Sequence, residues 1–207
     1  MEAPLQAAKK MLVVLENRVR AARQHPIPFV DFVMREETSR IPIHCSPHQR
    51  VLFKFVKDHQ SSVILLPVGH TKTFSMAALL LWELGQDCTS RGAIVSATQG
   101  QAAKVLAMVR DYIETSPELR VVFPRLRPST RRADPWTTTA ITVDRPVGIR
   151  DPSVQAVGLE GAVNVSRLKY IMVDDIFTHE NTLNRDAHDK VHHFVDSTVQ
   201  NRMDMKE

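Results

Sequence analysis

The chain has 207 residues, 43% of them hydrophobic, which is enough for one domain of ordinary size with a core of its own. Two cysteines exclude a disulfide framework, and a net charge of +4 is too small to define a binding class by itself. Because no stretch reaches about 18 consecutive apolar residues and the N-terminus has no uninterrupted apolar run, we expect neither a membrane span nor a signal peptide.

The first 45 residues are predicted to be mainly helical. Apolar residues recur near the helical period over residues 3–23, at Leu5, Leu12, Leu15 and Val19. Prolines 26 and 28 predict a break after this helix, and residues 29–36 are expected to form a short second helix. We treat residues 1–45 as an N-terminal helical segment, or lid, that packs on the core.

From residue 46 onward, strand patterns alternate with helix patterns. Ser46 at an N-cap and Pro47 at the first position predict a helix that runs to about His59. Further helices are expected over residues 72–84, 99–114 and 180–200, and strands over residues 61–66, 92–98, 137–145, 153–160 and 168–174. Unbroken apolar strands between helices predict an α/β fold with a mostly parallel central sheet flanked by helices on both faces.

The segment LPVGHTKT, residues 66–73, is similar to a phosphate-binding loop. Lys72 and Thr73 follow a predicted strand and begin a predicted helix, where the Lys of such a loop reaches phosphates and the hydroxyl holds Mg²⁺. The usual spacing G-x-x-x-x-G-K-[ST] places its glycines at Leu66 and Thr71, and neither is glycine. The segment is therefore either a variant nucleotide site or a plain turn between a strand and a helix.

Two neighbouring acids end the last predicted strand. Asp174 and Asp175 would lie at the carboxyl edge of the sheet, where ligands of open α/β folds bind. One carboxylate there can hold Mg²⁺, and its neighbour can orient or deprotonate an attacking water. The alternative is a turn that caps the next segment. Together with Lys72 and Thr73, about 100 residues earlier, the acids favour a P-loop nucleotide hydrolase.

Two further segments allow either a binding role or an ordinary structural one. The sequence VSATQGQ, residues 95–101, suits a loop beside phosphates or DNA, and equally an ordinary turn between strand and helix. An arginine-rich segment can meet phosphates of nucleic acid or of a nucleotide on a neighbouring subunit, or can be a solvated loop. Its arginines are Arg120, Arg125, Arg127, Arg131 and Arg132.

A histidine pair near the end of the chain offers a possible metal site. His188 and His192 stand four residues apart on a predicted helix, with Asp189 between them, and this spacing can bind Zn²⁺ from one helix face. The segment is strongly polar and has no HExxH motif, so a solvated helix face is the alternative.

The motifs follow one another in an order that resembles a known family. The series is PHQ at 47–49, LPVGHTKT at 66–73, IVSATQGQA at 94–102, ITVDR at 141–145, DPSVQAVGLEGA at 151–162 and SRLKYIMVDDI at 166–176. Over about residues 25–185, it resembles the ATPase part of the large terminase subunit, the DNA-packaging motor of tailed bacteriophages. The resemblance implies a RecA-like P-loop fold with an additional strand.

The same resemblance implies an activity and its partners. The activity is hydrolysis of ATP with Mg²⁺, which drives double-stranded DNA into a procapsid in the host cytoplasm. The partners are DNA, bound through its backbone, the portal and the small terminase subunit, with the chain itself in a homo-oligomeric ring. Residues 46–207 would form the ATPase core, incomplete at its C-terminal end, and no nuclease activity is expected because no nuclease domain follows.

The resemblance also assigns roles to nucleotide-contacting residues. Lys72 matches the Walker A lysine, Thr73 its Mg²⁺-binding hydroxyl, and Gln49 the glutamine that contacts adenine. The remaining loop residues expected to contact the nucleotide are Gly69, His70 and Thr71.

Catalytic roles are assigned in the same way. Asp174 matches the Walker B aspartate that holds Mg²⁺, and Asp175 or Glu180 would activate water. Arg167 would act as a nucleotide sensor or across subunits. Its rivals for the role across subunits are Arg131 and Arg132.

Departures from the family pattern leave a second hypothesis open. Val68 stands where an arginine is common and Thr71 where a glycine is common, and the coupling motif expected after Asp175 does not follow. The alternative is a catalytically degenerate or truncated P-loop domain that binds DNA, the portal or the small terminase subunit. A helicase-like ATPase would share the site chemistry.

Overall fold

The computed structural model describes residues 2–67, 69–159, 161, 168–177 and 185–194. The chain forms two compact units. Unit 1 comprises Met1–Trp82 and Ser116–Pro124, and unit 2 comprises Glu83–Thr115 and Arg125–Glu207. The predicted boundary after residue 45 stays a prediction.

Helices and short strands make up the regular structure of the described residues. The helices are α1 (Glu2–Gln24), α2 (Pro26–Val33), α3 (Pro47–Asp58), α4 (Lys72–Gln86), α5 (Gln99–Thr115), α6 (Pro117–Val122) and α7 (Arg185–Phe194). The strands are β1 (Gly92–Ser96), β2 (Ala140–Ile141), β3 (Val154–Gly158) and β4 (Tyr170–Val173).

The helices predicted in the first part of the chain are confirmed, and so is the break between the first two, because α1 ends at Gln24 and α2 begins at Pro26. The second helix begins at the prolines rather than at residue 29, so both prolines lie in its first turn. The Nδ1 atom of His25 accepts a hydrogen bond from the Ile27 amide at 3.1 Å and so caps this helix. Proline is tolerated in a first helical turn because the amide it lacks would have no partner there.

Unit 2 contains a four-stranded sheet in the order β2-β3-β1-β4. β1 pairs in parallel with β3 and with β4, whereas β2 pairs antiparallel with β3. The α/β class is therefore confirmed, but the sheet is mixed. β2 is also shorter than the strand predicted over 137–145, because the Thr137 amide donates to the Ala140 carbonyl at 2.8 Å and closes a turn there.

The core of unit 2 forms around β1, all of whose residues are buried. Ala93 and Val95 share an apolar cluster with Val157 of β3 and with Val191 and Phe194 of α7. A parallel strand between two neighbours presents both of its faces to other elements, so it needs apolar residues at every position rather than at every second one. This explains why the apolar run predicted as a strand over residues 92–98 forms a buried strand over Gly92–Ser96.

The predicted strand over residues 61–66 is not present. The segment has no regular secondary structure, and the side chains of Val63 and Leu65 are 86% and 89% exposed. An apolar run becomes a strand only when a neighbouring strand completes its hydrogen bonds. The described residues of unit 1 include no such strand, so the run remains an irregular connection between α3 and α4.

No helix in the described ranges has both the length and the apolar character needed to cross a bilayer.

A close approach of two backbones in unit 2 generates a stability prediction. A Cβ atom at Gly158 would lie 2.7 Å from the backbone nitrogen of Gln99, and backbone atoms cannot move aside as a flexible side chain does. We therefore expect Gly158→Ala to lower the unfolding free energy of unit 2 by about 1–3 kcal/mol. The measurement is urea unfolding followed by Trp136 fluorescence in a Trp82→Phe background.

Gly100→Ala is the matched control for this substitution. A Cβ atom there would meet only the Thr98 hydroxyl, at 4.0 Å, inside α5. Alanine is preferred over glycine within a helix, so the control should be neutral or stabilising by up to about 1 kcal/mol. Equal stability of the two variants would contradict the packing described here.

Candidate functional site

The carboxyl ends of the three parallel strands form one edge of the unit 2 sheet. β1 ends at Ser96, β3 at Gly158, and β4 is followed directly by Asp174. The Asp174 amide donates to the Val95 carbonyl at 2.8 Å, so strand pairing holds the backbone of Asp174 in place. Its side chain is buried, with 6% exposure. The edge therefore carries a carboxylate where ligands of open α/β sheets bind.

The two acids after β4 lie in different environments. Asp174 is buried, whereas Asp175 is exposed and has a left-handed backbone with φ +47°. A left-handed residue turns the chain sharply, so the backbone leaves the direction of β4 at Asp175. This division suits one acid for holding a cation and the other for acting on water, and both roles stay predictions.

The segment between β1 and α5 is fastened to the same edge. Ser96 is buried, and its hydroxyl donates to Oε1 of Gln101 at 3.2 Å. The Thr98 hydroxyl accepts a bond from the Gln101 amide at 3.3 Å, which caps the start of α5. The amide group of Gln99 donates to the Ala156 carbonyl of β3 at 3.4 Å. Sequence analysis marked this segment but gave no role to Gln99 or Gln101.

In unit 1, the loop before α4 contains two left-handed residues. Gly69 has φ +84° and Thr71 has φ +54°, and Lys72 and Thr73 follow as the first residues of α4. The left-handed region favours glycine, and position 71 is where the phosphate-loop spacing has one. The backbone at Thr71 thus adopts a glycine-type conformation with a β-branched side chain, which costs about 1–2 kcal/mol.

The side chain of Gln49 binds this strained residue. Its Nε2 atom donates to the Thr71 hydroxyl at 3.0 Å and to the Ser75 hydroxyl at 3.0 Å. Its Oε1 atom accepts from the backbone amide of Ser46 at 3.0 Å, and thereby caps α3. Gln49 is buried, with 3% exposure, and both ends of its amide are used within unit 1.

Ser75 completes the connection between α4 and the loop. Its backbone amide and its hydroxyl each donate to the Thr71 carbonyl at 2.9 Å. Gln49, Thr71 and Ser75 therefore form a hydrogen-bonded network, which we call the loop network. The predicted contact of Gln49 with adenine is not tested by this geometry, and the PHQ motif gave no signal of the bond to Thr71.

The arginines proposed to act across subunits differ in their surroundings. Arg131 donates to the carbonyl of Arg145 and lies 3.9 Å from Asp134, so its guanidinium is engaged within unit 2. Arg132, in contrast, is exposed. Arg167, predicted as a sensor or as the arginine that acts across subunits, lies outside the described residues. Glu180, predicted to activate water, lies outside them as well.

Arg145 is a residue that sequence analysis did not single out. It is 4% exposed, and its Nη2 atom donates to the carbonyls of Ile149 and Asp151, which fixes the loop after ITVDR. Burial lowers the pKa of its guanidinium, and the nearby Asp134 carboxylate opposes that effect. The only signal for Arg145 in the sequence is its place at the end of the run ITVDR. That pattern does not distinguish a buried arginine from an exposed one.

The predicted Mg²⁺ ligands are a hydroxyl, Thr73, and a carboxylate, Asp174. Among the described residues, no group of three or more His, Cys, Asp or Glu side chains is placed to hold a metal. Mg²⁺ at phosphate-transfer sites commonly takes one or two protein oxygens and completes its shell with water and substrate phosphates. Hard oxygen donors such as these fit that cation.

Comparison with known proteins finds a distant relative of this chain. No protein-family model matches the chain. The chain is similar to the large terminase subunit of Enterobacteria phage T3, at 26% identity over 134 residues. The match covers 65% of this chain, and it spans 22% of the length of that relative. This similarity supports a terminase-like relationship.

The loop network generates a testable prediction. Gln49→Ala removes the hydrogen bonds to the Ser46 amide and to the Thr71 and Ser75 hydroxyls, so it should lower the unfolding free energy of unit 1 by about 1–3 kcal/mol. In a Thr71→Gly background the cost should fall, because glycine adopts the left-handed backbone freely and has no hydroxyl to satisfy. We expect a coupling energy of about 0.5–1 kcal/mol between the two sites, measured by urea unfolding of the double-mutant cycle.

A second substitution separates the two ends of the Gln49 amide. Gln49→Glu keeps the acceptor that binds Ser46 but cannot donate to Thr71 and Ser75, so it tests the loop bonds alone. Trp82 fluorescence in a Trp136→Phe background reports unit 1. Additive effects of Gln49→Ala and Thr71→Gly would rule out the network as the support of the loop.

Proposed function

We propose that the chain is part of a viral DNA-packaging motor, in which it hydrolyses ATP with Mg²⁺ to drive double-stranded DNA into a procapsid. The observation that carries the proposal is the similarity to the large terminase subunit of Enterobacteria phage T3. Because the chain spans 22% of that protein, the complete packaging activity is proposed for the assembly to which the chain belongs.

In unit 1, the proposed nucleotide contacts are at the start of α4. Lys72 binds phosphates, Thr73 provides a hydroxyl ligand for Mg²⁺, and the left-handed turn at Gly69 and Thr71 brings the chain into the helix. His70, which is exposed within that turn, is proposed to contact the nucleotide as well. The loop network supports this role because it holds the turn in one conformation.

In unit 2, the proposed catalytic contacts are at the carboxyl edge of the sheet. The Asp174 carboxylate is a Mg²⁺ ligand, and the exposed Asp175 orients and deprotonates the attacking water, with Glu180 as the alternative. Arg132 is the better candidate than Arg131 for a contact across subunits, because the Arg131 guanidinium is bonded to its own unit. Arg167 keeps its proposed role as sensor.

The proposed partners follow from the same similarity. DNA would be bound through its phosphates, since a motor must move over every sequence, and the exposed arginines of unit 2 offer the charge for this. The portal and the small terminase subunit are the proposed protein partners, and the working form is a homo-oligomeric ring. Nuclease activity is not proposed for these residues.

A second candidate function has its own supporting observation. Residues 61–66 precede the loop as an irregular connection rather than a strand, and Thr71 stands where the phosphate-loop spacing has a glycine. These features favour a degenerate P-loop domain that serves as a binding module for DNA, the portal or the small terminase subunit. Such a module would bind its partner without binding Mg-ATP.

The test that separates the two functions is calorimetric binding of Mg-ATP. The wild type should bind, and Lys72→Ala should weaken binding by at least about tenfold, because a buried or partly buried charge–phosphate contact contributes about 1.5–3 kcal/mol. Lys104→Ala, which removes an exposed lysine of α5, is the matched control and should bind like the wild type. Wild-type protein that fails to bind would favour the binding module.

The same assay tests the proposed Mg²⁺ ligand of unit 2. Asp174→Asn should weaken Mg-ATP binding, because it removes the charge of the buried carboxylate proposed to hold the cation. Unchanged binding would contradict this role.

DNA binding gives a prediction that does not depend on ATP. Arg125→Ala and Arg132→Ala should each reduce the slope of log K against log salt by about 1, since each removes one phosphate contact. Arg127→Ala should change the slope less, because Arg127 already pairs with Asp144 at 3.0 Å. The measurement is fluorescence anisotropy with a duplex at several salt concentrations, and unchanged slopes for Arg125 and Arg132 would exclude this surface.

A further inference from the structure

Helix α7 carries two histidines one turn apart. His188 and His192 occupy positions i and i+4, so their side chains project from the same face of the helix. Their ring centroids lie 4.5 Å apart, and their Nε2 atoms lie 3.4 Å apart. The distance between the two nitrogens can be compared with the distance that a shared metal ion would require.

The separation of the nitrogens matches what a shared metal ion requires. Two Zn–N bonds of about 2.0–2.1 Å that meet at a tetrahedral angle hold their nitrogens about 3.3–3.4 Å apart. The Nε2 atoms of His188 and His192, at 3.4 Å, fall within this range. At this distance the two nitrogens form a long hydrogen bond with each other, and a bound metal ion would take its place.

The neighbours of the pair hold it in this arrangement. Val191 and Phe194, on the buried side of α7, anchor the helix in the core of unit 2. The ring of Phe177 lies against both imidazoles, with centroids 6.1 Å from His188 and 6.5 Å from His192. An aromatic ring at this position limits the rotamers of the two side chains, so less entropy is lost when they bind an ion.

The second nitrogen of His188 has a charged neighbour. Its Nδ1 atom lies 3.9 Å from the Asp189 carboxylate. This distance is longer than a hydrogen bond, so the contact is one of charge. A carboxylate beside the imidazole pair attracts a cation bound there.

We propose that His188 and His192 form a bidentate site for a divalent transition-metal ion, Zn²⁺ or Cu²⁺. The two Nε2 atoms are the protein ligands, and the described residues hold no cluster of three metal-ligating side chains. Two ligands make a weaker site than the three or four of catalytic and structural zinc sites. The site is independent of the proposed ATPase.

The donor atoms separate this site from the predicted Mg²⁺ site. Imidazole nitrogens suit Zn²⁺ and Cu²⁺, whereas Mg²⁺ selects the oxygens of carboxylates, hydroxyls and phosphates. Asp174 and the histidine pair therefore prefer different ions. Zn²⁺ should bind α7 whether or not Mg²⁺ and nucleotide are present.

The test is a calorimetric titration of the untagged full chain with Zn²⁺ in a buffer without chelators. His188→Ala and His192→Ala should each weaken binding by at least about tenfold, because the second ligand then no longer acts at high effective concentration. His193→Ala is the matched control, since this exposed histidine is adjacent in sequence but five residues from His188 and off the shared face. It should bind like the wild type.

A second measurement identifies the ligand atoms. Electron paramagnetic resonance of the chain with one equivalent of Cu²⁺ should show splitting from two nitrogens, and from fewer in either single variant. Circular dichroism of the variants confirms that α7 and the rest of the fold are retained. Equal losses in His193→Ala and His188→Ala, or no loss in any of the three, would overturn the proposal.

Discussion

The parallel pairing of β1 with both of its neighbours is the constraint on which unit 2 depends. Because β3 and β4 run in the same direction as β1, their last residues meet at one edge, and the sheet delivers Ser96, Gly158 and Asp174 there together. The edge is then closed by backbone: the start of α5 comes so near Gly158 that a methyl group would not fit. The chemistry proposed for Asp174 thus rests on main-chain geometry more than on any side-chain contact.

Unit 1 holds one residue, Thr71, in a left-handed backbone conformation that a β-branched residue disfavours. Thr71 keeps a left-handed backbone because its hydroxyl and carbonyl are bound by Gln49 and Ser75. A glycine would need neither bond, so the substitution at this position and the buried glutamine are two parts of one arrangement. The departure from the phosphate-loop spacing is therefore matched by a compensating interaction elsewhere in the unit.

Local patterns in the sequence were sufficient for most elements and insufficient for interactions between distant segments. Helix periods and caps predicted α1, α3, α4 and α5 to within a few residues, because those signals lie inside each helix. The strand predicted over residues 61–66 was wrong, because an apolar stretch does not reveal whether a partner strand exists. The bond from Gln49 to Thr71 and the burial of Arg145 join positions whose proximity is a tertiary property, so no spacing could show them. Conversely, His188 and His192 lie side by side in the structure, because a helix brings residues four apart onto one face.

The apolar run at residues 63–66, in which exposed and half-buried side chains alternate, affects how the protein behaves when it is concentrated. Val63 and Leu65 are among the most exposed apolar side chains of the described residues, and the run carries no charge. Short uncharged segments rich in β-branched and aliphatic residues are those through which separate chains add strand to strand. Pro67 stops such a segment from lengthening, because it has no amide to donate to a growing ladder. Residues 63–67 therefore combine a surface prone to aggregation with the residue that limits its growth.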